Sequence, residues 1–328
     1  MFNNFTTTVV IRALNEGSHI GKLLYGLQQQ TILPDEIILV DSGSTDDTLL
    51  IASSYDVLIE KISKDQFTFG RALNIGCRKA SKEILIFLSA HVYPSDKDWL
   101  LNIIRPFEND LVVCSYGKQR GNSLTKFSEH QIFLSLFPDS REDIRTKYFC
   151  NNANCAIRKK EWEKINYDET LTGLEDLDWA KKQYEKGKEI VYVPEAEIIH
   201  VHEENWSQVK NRFKREAIAL RKIEPVISIN LFNLIYLILL SIFSDLFSIK
   251  SFKSLRKNFI SILLFRLNQY IGTYEGFNFI NKDTDELRTT FYYPPQKDSK
   301  NKKNKLKKMK ISNKNNQKAK NFINYDSF

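Results

Sequence analysis

Cysteine is scarce in this chain. Cys77, Cys114, Cys150 and Cys155 are spread over 328 residues with no Cys-x-x-Cys pair. That excludes a disulfide framework and points to a reducing compartment. The opening residues, Met1-Phe-Asn-Asn-Phe-Thr-Thr-Thr, lack the basic start and long apolar stretch of a signal peptide. The protein is therefore expected to stay in the cytoplasm, on the side of the membrane where it is made. No internal repeat occurs. There is also no glycine-rich phosphate loop with its lysine near the amino terminus, which argues against a nucleotidyltransferase. A charge excess is missing too, outside one segment. The formal net charge is +8, but residues 297–328 hold eleven lysines against two aspartates, a balance of +9, so the other 296 residues carry −1. Basicity belongs to that Lys/Asn-rich segment, which is expected to be disordered. A nucleic-acid partner is not expected for the remainder.

What is present is an apolar fraction of 42%, enough for a buried core. Over the first 115 residues strand and helix signals alternate. Short apolar runs lie at residues 9–11, 37–40, 57–62, 84–88 and 111–114. Between them, Ile20, Leu23, Leu24 and Leu27 form one helix face, and residues 71–80 and 98–107 also read as helices. Ser44 is expected to cap a helix whose first turn holds Asp46 and Asp47. This rhythm predicts an α/β fold, a mostly parallel sheet with right-handed crossovers. Further on, helices are expected over 124–136 and 175–185, and strands over 150–157, 190–193 and 197–201. Val209, Phe213, Ala217 and Leu220 mark an amphipathic helix.

Open parallel sheets bind ligands at the carboxyl ends of their strands. Polar residues gather just after the predicted strands: Ala13-Leu-Asn-Glu16, Asp41-Ser-Gly-Ser-Thr-Asp46 and Ser89-Ala-His91, with Arg71 and Asn74 opening a helix between them. A carboxylate, a cation, small residues and a metal-ligating imidazole at one edge suit a nucleotide diphosphate.

Four segments carry a resemblance to a known family. Val-Val-Ile-Arg-Ala-Leu-Asn-Glu, Ile-Ile-Leu-Val-Asp-Ser-Gly-Ser-Thr-Asp-Asp-Thr, Phe-Gly-Arg-Ala-Leu-Asn-Ile-Gly and Gly-Leu-Glu-Asp-Leu-Asp-Trp resemble, in order, the motifs of glycosyltransferase family 2 over roughly residues 5–222. The resemblance implies a GT-A fold and inverting transfer from a nucleotide sugar, UDP- or dTDP-linked. It places Asp41 on the base, Ala13 and Glu16 along base and ribose, and Arg71 near the diphosphate, with Asn74 from the same helix start a further donor-binding candidate. Asp41 read alone is equally a turn residue. One departure stands out: where the family has Asp-x-Asp, this chain has Ser89-Ala90-His91, as in a rhamnosyltransferase-like subset with Ser at the first place. Ser89 is then a ribose contact and His91 a metal ligand. Imidazole suits Mn²⁺ better than Mg²⁺. The alternative is that His91 contacts a phosphate directly. Asp176 matches the family's catalytic base, the group that takes the acceptor's proton. Spacing alone does not separate it from Asp178, and three acids at a helix start also suit the helix dipole. His200 and His202 lie on one strand face; the resemblance to GT-A enzymes, in which a histidine near this place completes the metal or diphosphate site, makes His200 the expected second metal ligand, a structural histidine being the alternative. Asn151, Asn152 and Asn154 belong to the acceptor side or satisfy backbone groups.

Residues 226–243 carry no charge, at the lower limit of length for a spanning helix. Basic residues flank both sides, so a single span would carry one basic cluster across the membrane. A helix lying in the interface, or a shallow hairpin with residues 259–265, is expected, with lysines attracted to anionic lipid. A buried helix or an oligomer contact is the alternative. The organisation expected is a transferase domain over 1–222, a membrane-associating helical extension over 223–296, and the basic segment 297–328. The activity expected is transfer to a hydroxyl of a polysaccharide or lipid-linked acceptor, peripheral or monotopic on the inner face of the plasma membrane. The rival is an inactive sugar-nucleotide-binding scaffold.

Overall fold

The computed structural model describes residues 5–144, 147–279 and 291–292. The basic segment 297–328, expected to be disordered, lies outside the described residues. The strands are β1 Thr7–Ala13, β2 Glu36–Asp41, β3 Leu58–Lys61, β4 Ile84–Ser89, β5 Val92–Pro94, β6 Val112–Arg120, β7 Asn154–Arg158 and β8 Glu189–His200. The helices are α1 Ile20–Gln28, α2 Thr48–Ala52, α3 Phe69–Lys79, α4 Trp99–Ile104, α5 Phe127–Leu136, α6 Lys159–Lys164, α7 Glu175–Glu185, α8 Trp206–Ile223, α9 Leu231–Phe247 and α10 Phe252–Phe277.

Among the described residues the eight strands form one sheet in the order β3-β2-β1-β4-β7-β6-β8-β5. The β3-β2-β1-β4 half is parallel, as the alternating pattern requires. Beyond it the sheet is mixed, within the mostly parallel arrangement expected. The run at 111–114 becomes β6, but β7 inserts antiparallel between β4 and β6. Hydrophobic periodicity reports a strand and not its neighbour, so this insertion is invisible locally. The runs at 190–193 and 197–201 are one strand, β8, parallel to β6 and antiparallel to the short β5. Ile20, Leu23, Leu24 and Leu27 of α1 are fully buried against Val9, Ile11, Leu39, Ile86 and Leu88, so the predicted stripe is the packed one.

This layout brings the ends of three strands level. Ala13 at the end of β1 pairs with Asp41 at the end of β2, and Arg12 pairs with Ser89 at the end of β4. The chain then turns through His91 into β5, and Val92 pairs with His200 at the end of β8. Residues far apart in sequence thus meet along one sheet edge.

The carboxy-terminal helices pack closely on the rest. α10 crosses α8 at Gly272 and Gly276, where a Cβ would collide with the backbone carbonyls of Lys210 and Lys214. Asp245 of α9, 1% exposed, accepts two bonds from Arg266 of α10 (2.6 and 2.8 Å) and one from Ser128 of α5 (2.6 Å). Removing one partner of such a buried pair generally costs about 3–5 kcal/mol. The expected patch at 259–265 is the middle of α10, and it pairs with α9 as a helical hairpin in which Ser241 meets Tyr270 at 2.6 Å. Among the described residues no helix is long and apolar enough to cross a membrane.

Candidate active site

Two loops build one wall of the site. Asp41, 2% exposed, accepts the N–H groups of Gly43 (2.9 Å) and Ser44 (3.1 Å), closing a turn in which Gly43 adopts φ 98°. A carboxylate has about four acceptor positions, so capacity for a further donor remains. The predicted helix cap at Ser44 does not form. α2 begins at Thr48, and its flanking residue Asp47 makes no side-chain cap. The hydroxyl of Ser44 instead accepts the Asn15 N–H (2.9 Å), while Thr45 N–H donates to Asn15 Oδ1 (2.8 Å) and Gly17 N–H to Asp46 Oδ2 (2.9 Å). Tertiary bonds between the two loops outcompete the local cap. Asn15 holds φ 57° to make them. The Ala13 carbonyl accepts from the N–H of Ser42 at 3.0 Å.

Arg71 and Asn74 are engaged elsewhere. Arg71 donates to Glu169 (2.6 Å) and to the Gln66 carbonyl (3.0 Å). Asn74 is buried and bridges Tyr167, Glu169 and Trp162. Its amide locks α3 to the 162–169 segment, so in this conformation it does not present itself to a ligand.

The histidines converge. One ring nitrogen from each of His91, His200 and His202 lies within 4.8 Å of the others, and the His91 and His200 rings stack with centroids 5.1 Å apart. Each Nδ1 has its own oxygen partner: Glu16 for His91 (2.8 Å), Gln119 for His200 (2.7 Å) and Glu129 for His202 (2.9 Å). Burial opposes ionisation of Glu129, yet Arg212 and His202 outweigh it and hold its carboxyl at about 2. Glu129 therefore only accepts, and His202 must donate from Nδ1. Burial first, then the neighbouring His202, His91 and Arg212, hold His200 well below the ordinary histidine range. His200 is thus neutral, and its Nε2 is buried without a hydrogen-bond partner. Three imidazoles each oriented through Nδ1, with the His200 Nε2 left unpartnered, could hold a transition-metal ion. Sequence reasoning paired His91 with His200 and ranked His202 lower. It missed Gln119 and Glu129, which no motif marks.

The three acids at the start of α7 separate by their partners. Glu175 pairs with Arg12 (3.3 Å) and Asp178 with Lys182 (2.7 Å). Asp176 is 8% exposed and accepts the backbone N–H groups of Asn152 (2.8 Å) and Leu177 (2.8 Å). Burial, then the neighbouring Glu175 charge, pushes its carboxyl well above the usual aspartate range despite those two bonds. A carboxyl raised in this way binds a proton more readily than an ordinary aspartate, as a general base requires. The Cys150 thiol donates to the Asp176 carbonyl (3.2 Å). Cys114, Cys150 and Cys155 cluster behind it, all buried and free. Asn154 is structural: it holds the Trp99 indole and the carbonyls of Lys118 and Ala196. A cleft of about 610 Å³ lined by Thr7, Asp35 and Glu108 lies at the start of β1, opposite the edge where these groups meet.

Residues 8–165 match the family described as glycosyl transferase family 2. That match takes in just under half of the chain and bears out the resemblance carried by the four sequence segments. It is 29% identical over 208 residues to the O-antigen chain rhamnosyltransferase RfbN of Salmonella typhimurium, and 27% identical over 207 residues to the O-antigen chain rhamnosyltransferase WbaN of Salmonella anatum. Each match covers 60% of this chain and 66% of the relative, so it spans just under two thirds of the length of these proteins. Among solved structures, the fold is similar to that of the mannosyltransferase PcManGT from Pyrobaculum calidifontis, in complex with GDP-Man and Mn²⁺ (TM-score 0.53, 15% identity, 86% of this chain and 77% of that one). It is also similar to that of glucosyl-3-phosphoglycerate synthase from Mycobacterium tuberculosis, in complex with Mn²⁺, UDP-glucose and phosphoglyceric acid (TM-score 0.50, 18% identity, 67% and 80%). At these identities the likeness is one of fold, the GT-A fold that the family's motifs imply.

Proposed function

We propose that this chain is a family 2 glycosyltransferase that moves a sugar, with inversion, from a UDP- or dTDP-linked donor to a hydroxyl of a cell-surface polysaccharide or lipid-linked glycan. The observation that carries the reading is the convergence of His91, His200 and His202 at the sheet edge where the Asp41 and Ser89 segments end. The names of the two Salmonella relatives support an O-antigen-like acceptor and a rhamnosyl donor. Asp41 and the loop it closes bind the base and ribose, with Ala13, Glu16 and Ser89 beside them. Asp176 takes the acceptor proton. The three imidazoles fit a divalent ion of the Mn²⁺ type, which when bound would neutralise charge on the departing diphosphate. Arg71 and Asn74 reach the diphosphate only by leaving Glu169. The rival, an inactive scaffold, rests on the missing Asp-x-Asp. An assembled imidazole trio and a raised Asp176 weigh against it. Asp41→Ala is expected to weaken nucleotide binding by about 1–3 kcal/mol, the cost of losing a partly desolvated hydrogen bond. Calorimetry on the folded variant checks this, and an unchanged affinity would reject Asp41 as the base contact.

The same reading places the protein on the cytoplasmic face of the plasma membrane. α9 is inside out. Ser241 and Asp245 face the protein, whereas Phe232, Ile235, Tyr236, Leu239, Phe243 and Phe247 are 50–88% exposed. Exposed Lys250, Lys253, Arg256 and Lys257 follow at the turn into α10. An apolar face bordered by bases fits an anionic lipid interface. Replacing Phe232 and Leu239 together by Ser is expected to lower binding to phosphatidylglycerol-containing vesicles at least about tenfold, since each large side chain contributes ~1.5–3 kcal/mol when buried. Unchanged vesicle sedimentation would assign the face to an oligomer contact.

A further inference from the structure

His200 differs from its two neighbours in how it is oriented. His91 and His202 are held by carboxylates, which can only accept. His200 is held by an amide, Gln119, and an amide presents either an oxygen or an NH₂. Which one faces His200 decides which ring nitrogen carries the proton. If Gln119 turned its NH₂ toward Nδ1, the proton would move to Nε2 and the lone pair would be lost to any ion.

We infer that Asn151, acting through Gln119, is the device that fixes His200 as an ion ligand. The inference rests on the metal-dependent reading above. The chain of bonds starts from a backbone group whose polarity cannot change. The Ala153 N–H donates to Asn151 Oδ1 at 3.0 Å, which identifies that atom as the oxygen. Gln119 Nε2 donates to the same oxygen at 3.1 Å, so Gln119 Oε1 is the atom that faces His200 Nδ1 at 2.7 Å. An amide oxygen only accepts, so Nδ1 carries the proton and Nε2 keeps its lone pair. That Nε2 is buried and has no partner, and the His200 ring brings a nitrogen within 4.8 Å of a ring nitrogen of each of the other two imidazoles. Gln119 is itself 1% exposed, so solvent does not compete for its amide. A register shift between Gly117 and Gln119 in the β6–β8 pairing places it there; such irregularities re-aim a side chain.

The same loop reaches the proposed base. Asn151 fixes His200 through Gln119, and its neighbour Asn152 donates its N–H to Asp176 at 2.8 Å. Two adjacent residues therefore set the ion ligand and the base together. Gln119 and Asn151 are positioning residues: they act through His200 and need touch neither ion nor substrate.

The test reads the proton directly, in metal-free protein. The chain has five histidines, so ¹⁵N-histidine labelling gives five rings, and a His200→Gln sample identifies the one in question. Long-range ¹H–¹⁵N correlation is expected to show His200 protonated on Nδ1. In Gln119→Leu the acceptor is gone, and protonation on Nε2 is expected to appear. Binding of Co²⁺, followed by its visible absorption, is expected to weaken 10–100-fold, the usual effect of losing a ligand's orienting partner. Gln119→Glu keeps an acceptor oxygen and is expected to return both the Nδ1 proton and most of the Co²⁺ affinity. A wild-type His200 protonated on Nε2 would overturn the inference, as would a folded Gln119→Leu with unchanged tautomer and affinity. An Nδ1-protonated His200 that Gln119→Leu shifts, in a protein that binds no Co²⁺, would uphold the relay and reject the metal-dependent reading instead.

Discussion

Asp176→Asn lowers turnover by about 10²–10⁴-fold, the usual contribution of a general base, and leaves nucleotide-sugar affinity near the parent value. The substitution keeps the size of the side chain and one oxygen to accept from Asn152 or Leu177, so the loop it closes stays in place. What it removes is the ability to take a proton. Its two acidic neighbours are poor substitutes, because Glu175 is held by Arg12 and Asp178 by Lys182. The pH profile carries the same signature. A base works when deprotonated, and the Asp176 carboxyl is raised by burial and by Glu175. Activity is therefore lost as pH falls through that raised value, at a higher pH than an ordinary aspartate would give. Single-turnover rates with saturating donor check the prediction. Near-parent turnover in a folded Asp176→Asn protein would transfer the role to Asp178 or Glu175.

The second large effect is expected from a chelator. Stripping divalent ions reduces transfer by at least about 10²-fold, since an ion on the diphosphate contributes several kcal/mol to stabilising the leaving group. Mn²⁺ restores activity better than Mg²⁺. Three imidazoles offer nitrogen where Mg²⁺ requires oxygen, and Glu16 and Glu129 are bonded to Nδ1 atoms of the cluster. His91→Ala and His202→Ala each weaken the Mn²⁺ response, the second because His202 is as much part of the trio as His91. Full parental activity in the chelator would remove the metal and leave His91 as a direct phosphate contact.

Much of this site is legible in the sequence because its parts lie just after strands, where chain order and sheet edge coincide. Asp41, Ser89 and His91 are of this kind, and so is the α1 stripe that covers the core. The acids of α7 are legible as a group but not one by one, because only tertiary partners distinguish them: Arg12 is 163 residues from Glu175 in sequence. Gln119 and Glu129 carry no local signal at all. A glutamine on a strand and a glutamate on a helix become orienting groups only once β8 has brought His200 and His202 alongside. The antiparallel insertion of β7 is hidden for the same reason, since strand partners are a long-range choice. The apolar stretch of α9 was conspicuous from composition, but its inside-out character was not. That depends on Arg266 and Tyr270 drawing Asp245 and Ser241 inward.

The most direct test of the central claim is donor turnover by the full chain. Purified protein is incubated with Mn²⁺ and a panel of UDP- and dTDP-linked sugars, dTDP-rhamnose among them, with lipid-linked oligosaccharide as acceptor. Released nucleoside diphosphate and glycosylated product are quantified together. One donor class is expected to be consumed, product to form with inverted anomeric configuration, and Asp176→Asn to bind this donor without consuming it. Binding of a nucleotide sugar by the wild-type protein with no release of nucleoside diphosphate from any donor would contradict the claim, and would make the chain a sugar-nucleotide-binding scaffold.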